Sequence, residues 1–146
     1  ELLRVGEREI YLVHRLDTPT SGVILFARSR AAAAELSRLF AAGAIRKTYL
    51  AMTGAPIGAN REIATPIDGK EALTIVRPLR GNISEIEIKT GRMHQIRIHL
   101  ASIGHPVSGD RRYGGAAAPR LMLHAWKLEH ESLGKLVAPP PPEFGL

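Results

Sequence analysis

The sequence predicts an α+β fold, in which a mixed, mostly antiparallel central sheet is flanked by two main helices. Three observations lead to this prediction. Five segments have the short apolar or alternating patterns of β-strands, only two have the three- and four-residue spacing of a helix, and turns join several strands directly to one another. At 146 residues, the chain has the length of a single domain with one core.

The first predicted strand and helix follow each other closely. Residues Gly22–Ala27 (GVILFA) form a short apolar run rich in β-branched residues, which predicts a strand buried on both faces. Ser29 is suited to cap a helix that runs from Arg30 to about Ala42, where apolar residues recur on one face. Gly43 then ends this helix.

Three further strands are predicted in the middle of the chain. Residues Arg46–Gly54 and Leu73–Leu79 have strand-like patterns, and Gly81-Asn82 forms a turn that leads into Ile83–Lys89. In this last segment (ISEIEIK) isoleucines alternate with charged residues. A period of two predicts one buried face and one face in contact with water.

The second helix and the last strand complete the fold. After Gly91, apolar residues recur at helical spacing and Gly104 closes the segment; these residues are Met93, Ile96, Leu100 and Ile103. Residues Leu121–His130 have the pattern of a final strand. Four prolines from Pro139 to Pro142 predict an extended tail, because proline fits neither a central strand nor a helix interior.

The composition is that of a soluble globular protein with a basic surface. Apolar residues make up 45% of the chain and charged residues 23%, and the net charge is +6. Fifteen of the 20 cations are arginine, whose planar guanidinium pairs well with phosphate. Nucleic acid is therefore an expected partner. A genome whose codon usage favours arginine would explain the same excess equally well. With no membrane-length apolar run and no signal peptide, we expect a cytoplasmic monomer that does not bind membranes.

The six histidines and the absence of cysteine bear on metal binding. Thiolate sites and disulfides are excluded, and His94 and His99 are five residues apart, so on a helix they point about 140° away from each other. The sequence also has no HExxH motif, no EF-hand and no glycine-rich phosphate loop. We therefore expect no metal.

The stretch HRLDTPTSG (residues 14–22) is the first candidate for a functional site. If it is extended, Arg15 and Asp17 project to the same side, and the turn-forming residues that follow expose Asp17 at the edge of a loop. This arrangement presents a carboxylate to a ligand. The alternative is an Asx-type turn, in which Asp17 caps only its own backbone.

The stretch Gly91–Gly114 is the second candidate. On a helix, His94 and Arg97 share a face beside the apolar stripe, so Arg97 lies at the edge of the core and needs an acidic partner. Such a pair attracts by about 4 kcal/mol at an effective dielectric constant of about 20, before desolvation. The alternative is a surface arginine on a basic helix. Asp110, in GDRRYG, has the pattern of a turn-forming residue.

Taken together, five motifs resemble the RluA-type family of RNA pseudouridine synthases. In chain order they are HRLDTPTSG, RKTYLAMTG, GRMHQIRIHL, GHPVSGDRRYG and LMLHA, and they run from about Tyr11 to the end of the chain. The resemblance implies the catalytic domain of that family over residues 1–146. Family members usually begin with further strands, and many carry a small RNA-binding domain. The resemblance therefore also implies that N-terminal strands are missing here.

The resemblance also implies roles for six residues. Asp17 would be the nucleophile that attacks the target uridine, so that the base detaches, rotates and rejoins the ribose through carbon. Tyr49 would stack on the flipped base and accept a proton late in the reaction, and Arg97 would pair with Asp17. RNA contacts would come from Arg15, Arg92 and His94. The substrate would be ribosomal or transfer RNA, and no metal, nucleotide or organic cofactor would be needed.

Two other functions are compatible with the sequence. The first is a catalytically inactive RNA-binding module of the same fold. The second is an acid-base hydrolase, which needs two cooperating carboxylates, one of them with a raised pKa. Asp110 is the only acid in the motifs besides Asp17, and its turn-like context weighs against the hydrolase.

Overall fold

The N-terminal part of the chain forms a small sheet. The computed structural model describes residues 2–6 and 8–146. Strands β1 (Leu2–Val5) and β2 (Arg8–Leu12) form an antiparallel hairpin, and β4 (Phe26–Ala27) pairs with β2. The sequence patterns predict no strand before Gly22. They miss β1 and β2 because these strands alternate charged and apolar residues irregularly and every described residue of β1 is exposed.

The main sheet contains the other seven described strands. Its spatial order is β10-β9-β5-β8-β7-β6, all antiparallel, and β3 pairs parallel with β9. The strands are β3 (Ser21–Gly22), β5 (Arg46–Met52), β6 (Arg61–Ile63), β7 (Thr74–Arg80), β8 (Ile83–Ile88), β9 (Leu123–His130) and β10 (Gly134–Val137). This topology confirms the predicted mixed, mostly antiparallel sheet.

Two described helices accompany the sheets. Helix α1 (Arg30–Ala41) is capped by Ser29, whose side-chain oxygen accepts a hydrogen bond from the Ala32 N–H at 3.1 Å, as the sequence predicts. Helix α2 (Gln95–Ser102) begins two residues after Met93, the first residue of its apolar spacing, because His94 lies in the left-handed region at φ 54°. Neither described helix combines the length and apolar character of a membrane span.

The predicted strand Gly22–Ala27 is wrong in extent, since only its two ends pair with other strands. Gly22 lies so close to β9 that a Cβ atom would come within 2.2 Å of the Ala125 carbonyl oxygen. Past this contact the chain leaves the main sheet; the Leu25 N–H donates to Nε2 of His14 at 2.8 Å, and Ile24 is exposed. The segment therefore bridges the two sheets.

The core lies between α2 and the main sheet. Ile96 and Leu100 of α2 are buried with apolar residues of β5, β7 and β8. His99, which is fully buried, holds this packing in place: Nδ1 lies 2.8 Å from the Thr74 hydroxyl, and Nε2 donates to the Thr65 carbonyl at 2.8 Å. Both ring nitrogens are satisfied, so His99 has a structural role.

On the face of β8 that was expected to contact water, Glu87 is instead buried among ion pairs. Glu87 is only 3% exposed, because the side chains of Arg46, Lys89 and Arg77 surround its carboxylate at 3.0, 2.9 and 3.4 Å. Burial alone would raise the pKa of Glu87, but the hydrogen bond from Lys89 and the three positive charges outweigh burial and lower it. Period two correctly predicts the strand but not this burial.

The proline-rich tail is docked on the sheet. It ends in a short 3-10 turn over Pro142–Phe144, and Phe144 is 2% exposed. Upstream of the turn, Nε2 of His124 donates to the Ala138 carbonyl at 2.8 Å. The tail therefore belongs to the packed domain.

Candidate active site

A cleft of about 790 Å³ opens between the two candidate motifs. Its walls come from the HRLD segment, the end of α1, strand β5 and the loop that precedes α2. Four of the six residues that the sequence singles out line it: Arg15, Asp17, Tyr49 and Arg92. The fold thus brings Arg15 and Arg92, which are far apart in the chain, to the same cleft.

Asp17 is placed at the cleft by a tight turn. Its main-chain carbonyl accepts a hydrogen bond from the Thr20 N–H at 2.6 Å, and the close contact of Gly22 with Ala125 fixes the end of the turn on β9. The turn is closed by the backbone of Asp17, not by its carboxylate, so the Asx-type alternative does not describe it. The half-buried side chain lines the cleft.

Tyr49 lies on β5 and faces the same cleft. Burial, and then the negative charge of Asp17, raise the pKa of Tyr49 to about 12. The effect of Asp17 shows that the two side chains are electrostatic neighbours. At neutral pH, Tyr49 is therefore an uncharged phenol beside the Asp17 carboxylate.

Arg97 differs from the prediction in its direct partner. Its Nε and Nη2 atoms donate to the two carboxylate oxygens of Asp110 at 2.8 and 2.9 Å. The hydrogen bond to Asp110 is the main cause that raises the pKa of Arg97, and the charge of Asp17 raises it further. The expected direct pair with Asp17 is thus replaced by a pair with Asp110, and Asp17 acts on Arg97 through space.

The carboxylate of Asp110 is held in place by a turn as well as by the ion pair with Arg97. Its Oδ1 also accepts from the backbone N–H groups of Arg112 and Tyr113, both at 3.2 Å. Burial would raise the pKa of Asp110, but the hydrogen bonds from Arg97, Tyr113 and Arg112 outweigh burial and lower it. A fixed, fully buried carboxylate requires a cation, and Arg97 supplies it.

His94 is directed toward Tyr113. Its Nδ1 lies 3.1 Å from the Tyr113 hydroxyl, and the Tyr113 ring in turn packs 5.2 Å from the guanidinium carbon of Arg97. This cation–π contact further stabilises the position of the Arg97 guanidinium. The structure therefore places His94 with the groups that surround Arg97, next to the cleft wall.

Arg92 is positioned by a main-chain carbonyl from another segment and by the first side chain of α2. Its Nε donates to the Glu71 carbonyl at 2.7 Å. Gln95, which the motif analysis does not single out, accepts from the Arg92 N–H at 3.1 Å and from the Thr90 hydroxyl at 2.7 Å. These contacts hold the loop so that Arg92 lies at the mouth of the cleft.

Two further cleft residues are absent from the sequence predictions. His14 stacks on Phe40 with ring centroids 4.5 Å apart, and burial, followed by the charge of Lys47, lowers its pKa to about 4. Burial lowers the pKa of Lys47 as well. Strand periodicity is the signal that would have identified Lys47, because residues two apart on a strand share a face and Tyr49 faces the cleft.

Among residues 2–6 and 8–146, no three histidine, aspartate or glutamate side chains form a cluster suited to a metal ion. The cleft instead combines the Asp17 carboxylate, the uncharged Tyr49 ring and several cations. This combination is suited to a polyanionic ligand with a flat, uncharged ring, since cations pair with phosphates and the phenol ring can stack on a base.

Comparison with known proteins assigns the family. The sequence profile of the RNA pseudouridylate synthase family matches residues 2–102, and the chain belongs to this family. The resemblance drawn from the motifs is thereby confirmed.

Individual relatives agree with this assignment. An uncharacterized RNA pseudouridine synthase of Helicobacter pylori is 40% identical, in a comparison that covers 80% of this chain and 57% of the relative. The dual-specificity RNA pseudouridine synthase RluA of Escherichia coli K12 is 38% identical, in a comparison that covers 77% of this chain and 63% of that protein. The chain thus spans less than two thirds of the length of either relative.

A solved structure has the same fold. Human RNA pseudouridylate synthase domain containing 1 superposes with a TM-score of 0.75 and 28% sequence identity, covering 91% of this chain and 69% of that one. The likeness confirms the α+β fold of a pseudouridine synthase domain.

Proposed function

We propose that the protein isomerises specific uridines in ribosomal or transfer RNA to pseudouridine, with Asp17 as the nucleophile. The observation that carries this proposal is the shared cleft of Asp17 and Tyr49, in which a carboxylate lies beside an uncharged aromatic ring under a basic rim. Family membership and the names of the relatives support RNA as the substrate.

The cleft is suited to a flipped nucleotide. A uridine inside a stacked helix cannot reach Asp17, so it must leave the stack, which costs a few kcal/mol. Phosphate contacts from cations such as Arg15 and Arg92 offset this cost, and the ring of Tyr49 offers the base a surface on which to stack. The cleft volume of about 790 Å³ lies within the ~300–1,000 Å³ range of small-molecule sites.

The reaction can be written with the residues of the cleft alone. A carboxylate oxygen of Asp17 attacks the ribose, and the base leaves with the electron pair of its N1–C1′ bond. After the base rotates, C5 forms the new bond to C1′ and the bond to Asp17 breaks. C5 then loses its proton to an acceptor, for which Tyr49 is our candidate, and N1 gains one. No cofactor takes part, and we propose that the protein acts as a cytoplasmic monomer.

The decisive experiment uses RNA labelled with tritium at the fifth carbon of uracil. Forming the new carbon–carbon bond displaces this hydrogen, so the wild-type protein should release tritium into water. Asp17→Asn should bind the RNA as tightly as wild type but release no tritium. Release at the wild-type rate by Asp17→Asn would refute the nucleophile, and salt-sensitive binding without release by the wild-type protein would identify an inactive RNA-binding module.

A further inference from the structure

Lys47 lies in the cleft but has no role in the mechanism above. It precedes Tyr49 by two residues on β5, so both side chains project from the same face of the strand, roughly 7 Å apart along it. Unlike Arg15, which is exposed at the rim, Lys47 is half-buried in the interior of the cleft. A base that stacks on Tyr49 would therefore meet this amine.

The chain makes room for the amine at a specific point. Nζ of Lys47 lies 3.3 Å from where a Cβ atom at position 91 would be, and residue 91 is glycine. A Cβ atom at this position would be in tight contact with the amine, which would have to shift slightly. The Lys47 amine thus packs closely against the backbone of Gly91, and both residues line the cleft.

The amine is available to a ligand. Within the described ranges 2–6 and 8–146, the side chain of Lys47 forms neither a hydrogen bond nor an ion pair, whereas the side chain of Lys89, which also lines the cleft, is bound to Glu87 at 2.9 Å. The carboxylate of Asp17, which lines the same cleft, bonds to the ribose in the proposed reaction. A half-buried ammonium without an acceptor is a group that a substrate oxygen can satisfy.

We propose that the ammonium of Lys47 donates a hydrogen bond to a carbonyl oxygen of the flipped uracil and stabilises the negative charge of the detached ring. This role rests on the proposed isomerase function and adds a catalytic residue to it. When the N1–C1′ bond breaks, its electron pair stays on the ring and spreads over N1 and the two carbonyl oxygens. When C5 bonds to C1′ and gives up its proton, that charge disappears, so Lys47 gains or loses no proton.

The test compares Lys47→Met with Lys135→Met, using the full-length protein and tritium-labelled total RNA from cells that lack the gene. Lys135 is an exposed residue of β10 outside the cleft, so its substitution removes the same charge at a distance. With saturating enzyme, Lys47→Met should release tritium roughly 10²-fold more slowly than wild type, the usual effect of removing one donor to a developing anion. Its affinity for RNA should stay within about threefold, and Lys135→Met should match wild type.

A chemical rescue separates charge from packing. The 146 residues contain no cysteine, so in Lys47→Cys the thiol at position 47 is the only one in this domain. Alkylation with bromoethylamine rebuilds a side chain with a terminal ammonium and should restore most of the rate. Alkylation with bromopropane rebuilds a similar volume without the charge and should not. Alkylated wild type is the reference for modification elsewhere.

Three outcomes would overturn the role of Lys47 while wild type remains active. The first is tritium release by Lys47→Met at the wild-type rate, and the second is equal rescue by the two alkylating agents. The third is a loss confined to RNA affinity, in which the salt dependence of binding falls by about one in slope; this would identify a contact with a backbone phosphate instead. If wild type itself releases no tritium, the proposed function and the role of Lys47 fail together.

Discussion

Arg97 and Asp110 form a bidentate ion pair that is almost completely buried, with 10% and 0% of their side chains exposed. The pair fixes the guanidinium on the protein side of the cleft, where the charge of Asp17 also acts on it. Asp110 therefore sets the position of the positive charge that faces the proposed nucleophile.

Replacement of Asp110 should destabilise the domain strongly. In Asp110→Asn the charge of Arg97 stays buried without its counterion, and breaking a buried pair in this way typically costs about 3–5 kcal/mol. Urea unfolding followed by circular dichroism measures the change in unfolding free energy. Glu35→Gln, which breaks the exposed pair with Arg38, is the matched control and should unfold nearly as wild type does.

Arg97→Lys tests the geometry of the pair. Lysine keeps the positive charge but cannot bind both oxygens of Asp110 in parallel, so tritium release should fall while RNA affinity changes little. Full activity in this variant would show that a point charge at position 97 suffices.

Gly22→Ala should disturb the turn that presents Asp17. The added Cβ would lie 2.2 Å from the Ala125 carbonyl oxygen, and residue 22 has φ 129°, which only glycine adopts easily. Gly134→Ala provides the control, because its φ is 69° but its added Cβ has open space. We expect Gly22→Ala to lower the thermal midpoint more than Gly134→Ala and to slow tritium release. Equal losses of stability would show that the chain relaxes around position 22.

The sequence predicts the parts of this fold that have strong periodicity. Both helices, the cap at Ser29 and the long strands around residues 46–54 and 83–89 occur as expected, apart from small shifts at their ends. Segments whose structure depends on distant partners were not predicted correctly. The run Gly22–Ala27 is apolar enough for a strand, but its contact with β9 and the hydrogen bond to His14 interrupt it.

The sequence likewise predicts one part of the candidate site and not another. Motifs identify Asp17, Tyr49 and Arg92, and the structure brings them to one cleft. The sequence cannot identify the partner of Arg97, because Asp17 and Asp110 both lie in turn-forming motifs. Only the fold shows that Asp110 lies against the guanidinium. An ion pair between elements is a property of packing, which local spacing does not determine.

His14 should make the stability of the domain depend on pH. Its pKa is lowered from 6.5 to about 4 in the folded protein, so the unfolded chain takes up a proton before the folded one does. The stabilising effect of neutral His14 is therefore fully present above pH 6.5 and is lost as the pH falls from 6.5 toward 4. In His14→Gln, this part of the decline in urea midpoint should disappear. Proton NMR of the His14 ring should show its titration near pH 4.

Tyr49 allows the stacking and proton-transfer roles to be separated. With a pKa raised to about 12 by burial and by Asp17, its phenol is protonated at neutral pH, so it can accept a proton only while it passes its own proton on. Tyr49→Phe keeps the ring but removes this relay, and we expect normal RNA binding with slow tritium release. Tyr49→Leu removes the ring as well, so it should also weaken binding, by on the order of 1–3 kcal/mol for the lost base stacking. Binding is measured by fluorescence anisotropy and chemistry by single-turnover tritium release. If Tyr49→Phe releases tritium as fast as wild type, another group accepts the proton and Tyr49 acts through its ring alone.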